Sequence, residues 1–202
     1  MIRVAIADDH AVIRKGLELF IKGDDALQLV VEATNGEELM NLLKNTQVDV
    51  LLLDIDMPKS NGLAVLRDLE SLHPRVKTII LSMHPEDIYG VNARRMGAKG
   101  YLGKDVDPLQ VLQAVKDVAG GNTVFREELY KFNRHGFVPQ IKMSKRETQV
   151  MKMLVAGYAN KKIAEELSIS DKTVSTYKLR LMRKLKAKSV VDLVRYSEMQ
   201  VH

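Results

Sequence analysis

Cysteine is absent from this chain of 202 residues, which excludes a disulfide framework and any thiolate metal site and fits a reducing compartment. Also missing is a run of about eighteen apolar residues, the least that crosses a bilayer as a helix. The opening stretch, Met1 to Val12, carries Asp8 and Asp9 where a secretory signal needs an unbroken apolar core. No internal repeat and no low-complexity tract is found. These absences set the expectation of a soluble cytoplasmic protein without membrane association. With 46% hydrophobic residues the chain has material for one large or two small cores.

Charge is divided unevenly along the chain. The net value of +5 conceals 14 Lys+Arg against 18 Asp+Glu in residues 1–121, net −4, and 17 against 8 in residues 122–202, net +9. A small basic domain favours a polyanion through counterion release, whereas the acidic half would be repelled by one. By itself a basic segment is also consistent with an ordinary solvated face.

Five short apolar runs recur in the first half: Ile2–Ala7, Leu27–Ala33, Val48–Leu53, Val76–Leu81 and Gly100–Leu102. They are continuous rather than alternating, as strands buried on both faces are. Segments with helical spacing separate them, among them Val12, Leu17, Phe20 and Ile21, then Leu63, Leu66, Leu69 and Leu72, then Leu109, Leu112, Val115 and Val118. The expected architecture is α/β: a doubly wound (βα)5 parallel sheet over residues 1–121. Residues 122–142 lack sustained periodicity and contain Gly136 and Pro139, so they are read as a linker. From residue 143 to 202 the pattern is helical throughout, opening with Ser144 and Glu147 at the spacing of a capping box.

Asp8, Asp9, Asp54, Ser82 and Lys104 each stand where an apolar run ends. In an open α/β sheet those ends share one edge, the edge where ligands bind. Three carboxylates brought together repel one another and raise each other's pKa unless a cation lies among them. Mg2+ fits, because it takes one or two carboxylates, keeps waters and leaves a position for a phosphate oxygen. An ionised Asp54 could then attack a phosphoryl donor, with Lys104 and Ser82 offering a positive charge and a hydroxyl to the phosphoryl oxygens. Taken singly, Asp9 would serve as a helix cap and Lys104 as a surface lysine; their joint placement argues against coincidence. His10, His73 and His84 are read as structural or surface residues, since none has a partner at metal-ligand spacing.

In the basic half, Asn160 is placed to cap a helix containing Ile163, Ala164 and Leu167. Ser168-Ile169-Ser170 forms a short turn, and Ser170 caps a longer helix with Asp171 and Thr173 in its first turn. Helix-turn-helix geometry follows, the second helix being the one that enters a major groove. On it Val174, Tyr177, Lys178, Leu181 and Leu185 share one side, and Lys172, Ser175, Thr176 and Leu179 the other. A plain helical bundle with a basic surface is the structural alternative.

Asp8-Asp9, DIDMPKSNG (Asp54 to Gly62), LSMH (Leu81 to His84) and GYLGKD (Gly100 to Asp105) resemble the signature set of CheY-like receiver domains. The resemblance implies Asp54 as phospho-acceptor, Asp8 and Asp9 as Mg2+ carboxylates, and the Asp56 main-chain carbonyl as a further ligand. It implies Ser82 as the hydroxyl that follows the phosphoryl group, Tyr101 as the aromatic that changes rotamer with it, and Lys104 as phosphate partner. Asp56 departs from the residue usual there, and an acidic neighbour would alter the lifetime of the acyl phosphate. The run from Met143 to Leu185 resembles the LuxR-type DNA-binding domain, departing from it mildly at Met143, Ala159 and Tyr177, and at Lys188 beyond. It implies Ser175, Thr176 and Leu179 as groove-facing residues, with Lys161, Lys172, Thr173 and Arg183 among the DNA contacts.

Together these imply a NarL/FixJ-type response regulator. Its partners would be a sensor histidine kinase, double-stranded promoter DNA, a second copy of itself on activation, and RNA polymerase. Its own phosphoryl transfer, together with its own dephosphorylation, is the only catalysis expected. Two alternatives stay open: a Mg2+-dependent phosphatase, since Asp54-Ile-Asp56 resembles the acid pair of haloacid-dehalogenase-like enzymes, and a DNA-binding regulator indifferent to phosphorylation.

Overall fold

Strands β1 (Ile2–Ala7), β2 (Leu27–Ala33), β3 (Val50–Leu53), β4 (Lys77–Ser82) and β5 (Gly100–Gly103) pair in parallel in the order β2-β1-β3-β4-β5. This is the computed structural model of the chain, which describes residues 1–58, 62–126 and 143–200. It divides into two compact units, Met1–Tyr130 and Lys131–His202.

Parallel pairing needs a crossover between successive strands, and helices α1 (Ala11–Lys22), α2 (Gly36–Leu43), α3 (Gly62–Leu72) and α4 (Glu86–Arg95) supply it, with α5 (Pro108–Ala119) following β5. Local chemistry starts several of them. The Asn35 side chain accepts the Glu38 amide at the head of α2, and the Asp107 side chain accepts the Leu109 amide ahead of Pro108 in α5. The four residues of β3 are at most 1% exposed, as expected of a strand covered on both faces. Its first two expected residues lie before the strand, and Asp49 instead turns its carboxylate to the Arg3 amide and guanidinium.

Helical spacing identified the crossovers but not every buried position. In α1 the buried pair is Leu17 and Ile21, whereas Val12 and Phe20 are exposed; in α5 Leu109 is exposed and Val111 takes a core place. Leu66 and Leu69 of α3 are buried and Leu72, at its end, is exposed. A helix lying on a flat sheet buries a narrow stripe, and residues at its ends overhang the sheet.

Residues 122–126, within the segment read as linker, pack on the first unit. The Val124 amide donates to Lys99 O (2.8 Å), the Tyr101 amide donates to Val124 O (2.8 Å), and Phe125 is buried. The rest of that segment, residues 127–142, lies outside the described residues.

The second unit holds α6 (Lys145–Val155), α7 (Asn160–Leu167), α8 (Asp171–Lys184) and α9 (Val190–Gln200). Its core includes Val150, Leu154, Ile163, Val174, Leu181, Leu185, Leu193 and Tyr196. The capping box at α6 is present, with Ser144 Oγ accepting the Glu147 amide and Glu147 Oε2 accepting the Ser144 amide. Among the described residues no helix is long and apolar enough to cross a membrane.

Candidate functional site

The carboxyl ends of β1, β3, β4 and β5 converge at one sheet edge and carry the side chains singled out in the sequence. β1 and β3 are hydrogen-bonded neighbours, so Asp8 and Asp54 follow adjacent strands, and both are 1% exposed. The β3-β4-β5 order then brings Ser82 and Lys104 alongside. The Lys104 main-chain amide donates to Ser82 O at 3.0 Å, which fixes where the lysine leaves the strand. Its ammonium lies 2.7 Å from Asp54 Oδ2 and 2.8 Å from Asp8 Oδ2, with the lysine side chain 1% exposed.

The carboxylates differ in their surroundings. Asp54 Oδ1 accepts the Asp56 amide at 2.9 Å. Burial pushes the Asp54 carboxyl above its ordinary value, opposed by the Asp56 amide and the Lys104 ammonium and reinforced by Asp8. Asp8 Oδ1 accepts the His10 amide at 2.7 Å, while buried Asp8 Oδ2, despite its ion pair, has no aligned hydrogen bond. Asp9 is a third exposed. It does not cap α1, whose N-cap is His10 with no side-chain hydrogen bond.

Two histidines read from the sequence as structural or surface residues stand in this site. His10 Nδ1 lies 3.0 Å from Asp8 Oδ1, 2.8 Å from Asp9 Oδ1 and 3.8 Å from Asp54 Oδ2. Ligand atoms of Asp8, Asp9, His10 and Asp54 all fall within 4.8 Å of one another, a set able to hold a cation. His84 Nε2 is 2.9 Å from Asp56 Oδ2, its ring stacks on Tyr89 at 4.7 Å between centroids, and its carbonyl accepts the Tyr101 hydroxyl at 3.0 Å. His10 meets its chain neighbours Asp8 and Asp9 together with Asp54 past the end of β3, and His84 meets Asp56, also past β3. The available signal was position: both histidines lie just beyond strand ends.

Ser82 is fully buried, and its hydroxyl accepts the His84 amide at 3.0 Å. Tyr101 is 2% exposed, and burial pushes its phenol well above the ordinary range. Gly62 makes the turn after β3 feasible. Its amide donates to Ile55 O at 3.1 Å, and a Cβ there would overlap the Asp54 carbonyl oxygen and come within 2.8 Å of Ile55 Cα.

In the second unit α7 and α8 form the expected helix-turn-helix. Ser168 closes α7 in the left-handed region at φ 53°, and Ser170 Oγ accepts the Thr173 amide to start α8. Val174, Leu181 and Leu185 anchor α8 in the core. Lys172, Ser175, Thr176, Leu179 and Arg183 are exposed, as is Lys161 on α7. Thr173 is half-buried, and its hydroxyl lies 2.8 Å from the Ser170 hydroxyl, so it is committed to the cap. Asn160 is not a cap: it is the first residue of α7 after Ala159, and its side-chain amide donates to Ser175 Oγ at 3.2 Å, tying the two helices together.

Comparison with known proteins agrees with both halves. Residues 4–116 match the model of the response regulator receiver domain, and residues 142–197 match that of the bacterial regulatory proteins of the luxR family. The chain is 34% identical over 208 residues to the oxygen regulatory protein NreC of Staphylococcus carnosus, covering 96% of each. It is 30% identical over 200 residues to the fimbriae Z protein of Salmonella typhimurium, covering 96% of this chain and 95% of that one. Among solved structures, RcsB from Salmonella enterica serovar Typhimurium, bound to a promoter in the presence of the phosphomimetic BeF3−, shares the fold with a TM-score of 0.74 at 22% identity, over 98% of each chain. The chain therefore belongs to the NarL/FixJ-type two-component response regulators, with an α/β receiver domain followed by a LuxR-type helix-turn-helix DNA-binding domain.

Proposed function

We propose that Asp54 accepts a phosphoryl group from the phosphohistidine of a sensor histidine kinase and that this modification governs promoter binding by the basic domain. The observation that carries the reading is the buried meeting of Asp54 and Asp8 with the Lys104 ammonium. An Asp54 oxygen attacks phosphorus in line as the phosphorus–nitrogen bond to the donor imidazole breaks. Lys104 is released from the carboxylate to a phosphoryl oxygen, and the Ser82 hydroxyl, close to hand in the same loop edge, donates to another. Buried Tyr101 follows the displacement of Ser82 and His84.

The oxygen donors of this cluster fit Mg2+: three carboxylates, one of them Asp8 with a buried oxygen lacking an aligned hydrogen bond. Asp8, Asp9 and Asp54, with the Asp56 main-chain carbonyl, would hold it, and when bound it neutralises charge on the transferring group. The Asp56 carboxylate is engaged by His84, whose Nε2 lies 2.9 Å from Asp56 Oδ2.

On the DNA side, exposed Ser175, Thr176 and Leu179 read the groove, and Lys161, Lys172 and Arg183 meet phosphates. Short hydroxyl side chains and one leucine imply weak direct readout, with thymine methyl contact and DNA shape contributing. Specificity then comes from two copies on paired half-sites, with RNA polymerase as a further contact, in the cytoplasm. The structure of RcsB dimers bound to DNA supports the paired-copy part of this reading. In α9, a candidate dimer surface, Val191 is exposed and free to serve, whereas Leu193 is spent on the domain's own core. The strand order weighs against the phosphatase alternative, whose acid pair belongs on a first strand, whereas Asp54 and Asp56 follow the third.

Acetyl phosphate with Mg2+ is expected to add one phosphoryl group to the wild type and none to Asp54→Asn by intact mass. Equal labelling of the variant would place the acceptor elsewhere. Normal promoter control by Asp54→Ala would favour regulation without phosphorylation.

A further inference from the structure

We infer that Asn122–Arg126 is an output strap, seated across α4 and β5 in the resting receiver and unseated when Asp54 is modified. The inference rests on the acceptor role proposed for Asp54.

β5 ends the sheet, and an open strand edge needs cover. Val124 provides it, forming a parallel bridge to Gly100 through the Val124 to Lys99 and Tyr101 to Val124 hydrogen bonds, both 2.8 Å. The approach depends on Gly100 lacking a side chain, since a Cβ there would lie 3.1 Å from Val124 O and 3.2 Å from Val124 Cβ. The next two residues hold a different element. Phe125 is buried beneath the Arg94 guanidinium, 5.3 Å from its ring centre, at the end of α4. The Arg126 amide donates to Glu86 Oε1 at 2.8 Å, and its guanidinium lies 3.6 Å from Glu86 Oε2, at the start of α4. Three successive residues thus bridge a strand and both ends of a helix.

The same two elements meet at the acceptor. Asp56 binds Asp54 through its amide and His84 through its carboxylate; His84 accepts the Tyr101 hydroxyl through its carbonyl; and the Tyr101 amide donates to Val124. His84 and Pro85 lead directly into α4. A phosphoryl group that draws the Ser82 hydroxyl toward itself removes the acceptor of the His84 amide and shifts the loop before α4 relative to β5. A strap pinned to both elements cannot keep all its anchors through such a shift. Its release frees the chain leading to the basic domain, a population shift between two arrangements rather than a graded pull.

Amide exchange on the full chain, with and without Mg2+ and BeF3−, tests this. The Tyr101 and Val124 amides are expected to exchange roughly tenfold faster with the fluoride bound, while 19F signals report occupancy of the site. Val124→Pro, which deletes one strap donor, and Gly100→Ala, which crowds the strap from the opposite side, are expected to show fast exchange of the Tyr101 amide without BeF3−. Both should also bind sheared genomic DNA as the wild type does with it. Occupied sites with unchanged Tyr101 and Val124 exchange, or variants whose DNA binding matches the resting wild type, would overturn the strap. No bound fluoride at all would overturn the acceptor role of Asp54, and the two variants would still judge the strap separately.

Discussion

Lys104 and Asp54 form a buried ion pair, Nζ to Oδ2 at 2.7 Å with both side chains 1% exposed, although the residues lie 50 positions apart. The same ammonium lies 2.8 Å from Asp8 Oδ2. Removing it as Lys104→Met strands two buried carboxylates, a loss of about 3 kcal/mol by analogy with other broken buried pairs. Urea unfolding without divalent metal should show that loss, and Mg2+ should restore more stability to the variant than to the wild type. An unchanged midpoint in metal-free buffer would mean that the carboxylates are compensated otherwise.

Gly62 has no room for a methyl group between itself and the backbone at Asp54 and Ile55. Gly62→Ala is expected to cost at least about 2 kcal/mol and to displace the acceptor turn. Thermal melting reads the first effect and the acetyl phosphate labelling rate the second. A variant as stable and as readily labelled as the wild type would show that the turn yields.

Glu147 joins the α6 capping box to α8 through Lys184, whose ammonium lies 2.7 Å from Glu147 Oε2. The Lys184 ammonium, then the Ser144 amide, holds its carboxyl below the ordinary value of 4.5. A depressed carboxyl binds fewer protons folded than unfolded, so its contribution is complete above about pH 4.5 and fades as pH falls through the folded value. Glu147→Gln should lower the stability of the basic domain by about 1 kcal/mol at neutral pH and flatten this part of its acid limb. Parallel acid limbs in circular dichroism melts of the two proteins would contradict the assignment.

Lys172 and Leu179 are both exposed on α8 but are assigned different duties. Lys172→Ala should weaken DNA binding evenly across sequences and make the log–log salt slope shallower by about 1. Leu179→Ala should leave the slope unchanged and relax preference at thymine-containing positions. Fluorescence anisotropy against salt, with matched and scrambled sites, separates the two. Identical behaviour of both variants would remove Leu179 from the groove.

Much of the acidic site was legible because the ends of parallel strands share one edge, so a carboxylate, hydroxyl or lysine just past an apolar run has its destination set by topology. Asp8, Asp54, Ser82 and Lys104 were found this way. His10 and His84 were read as structural or surface residues, whereas His10 lies against Asp8 and Asp9 beside it in the chain and 3.8 Å from Asp54, and His84 meets Asp56 from the neighbouring strand end. Asn160 was assigned to a helix cap by local propensity; its amide went instead to Ser175 on the next helix, a partner no local rule supplies.

By itself the sequence determined the alternation of strand and helix, the strand-end chemistry, the acidic and basic halves and the helix-turn-helix, since each depends on side-chain period or on residues close in the chain. Only the tertiary structure decided which side chains touch: Lys104 between two acids, His84 between Asp56 and Tyr101, and Val124 on the β5 edge. Those contacts join segments tens of residues apart, and their distances arise from strand order and register, which the pattern of apolar residues constrains but does not measure.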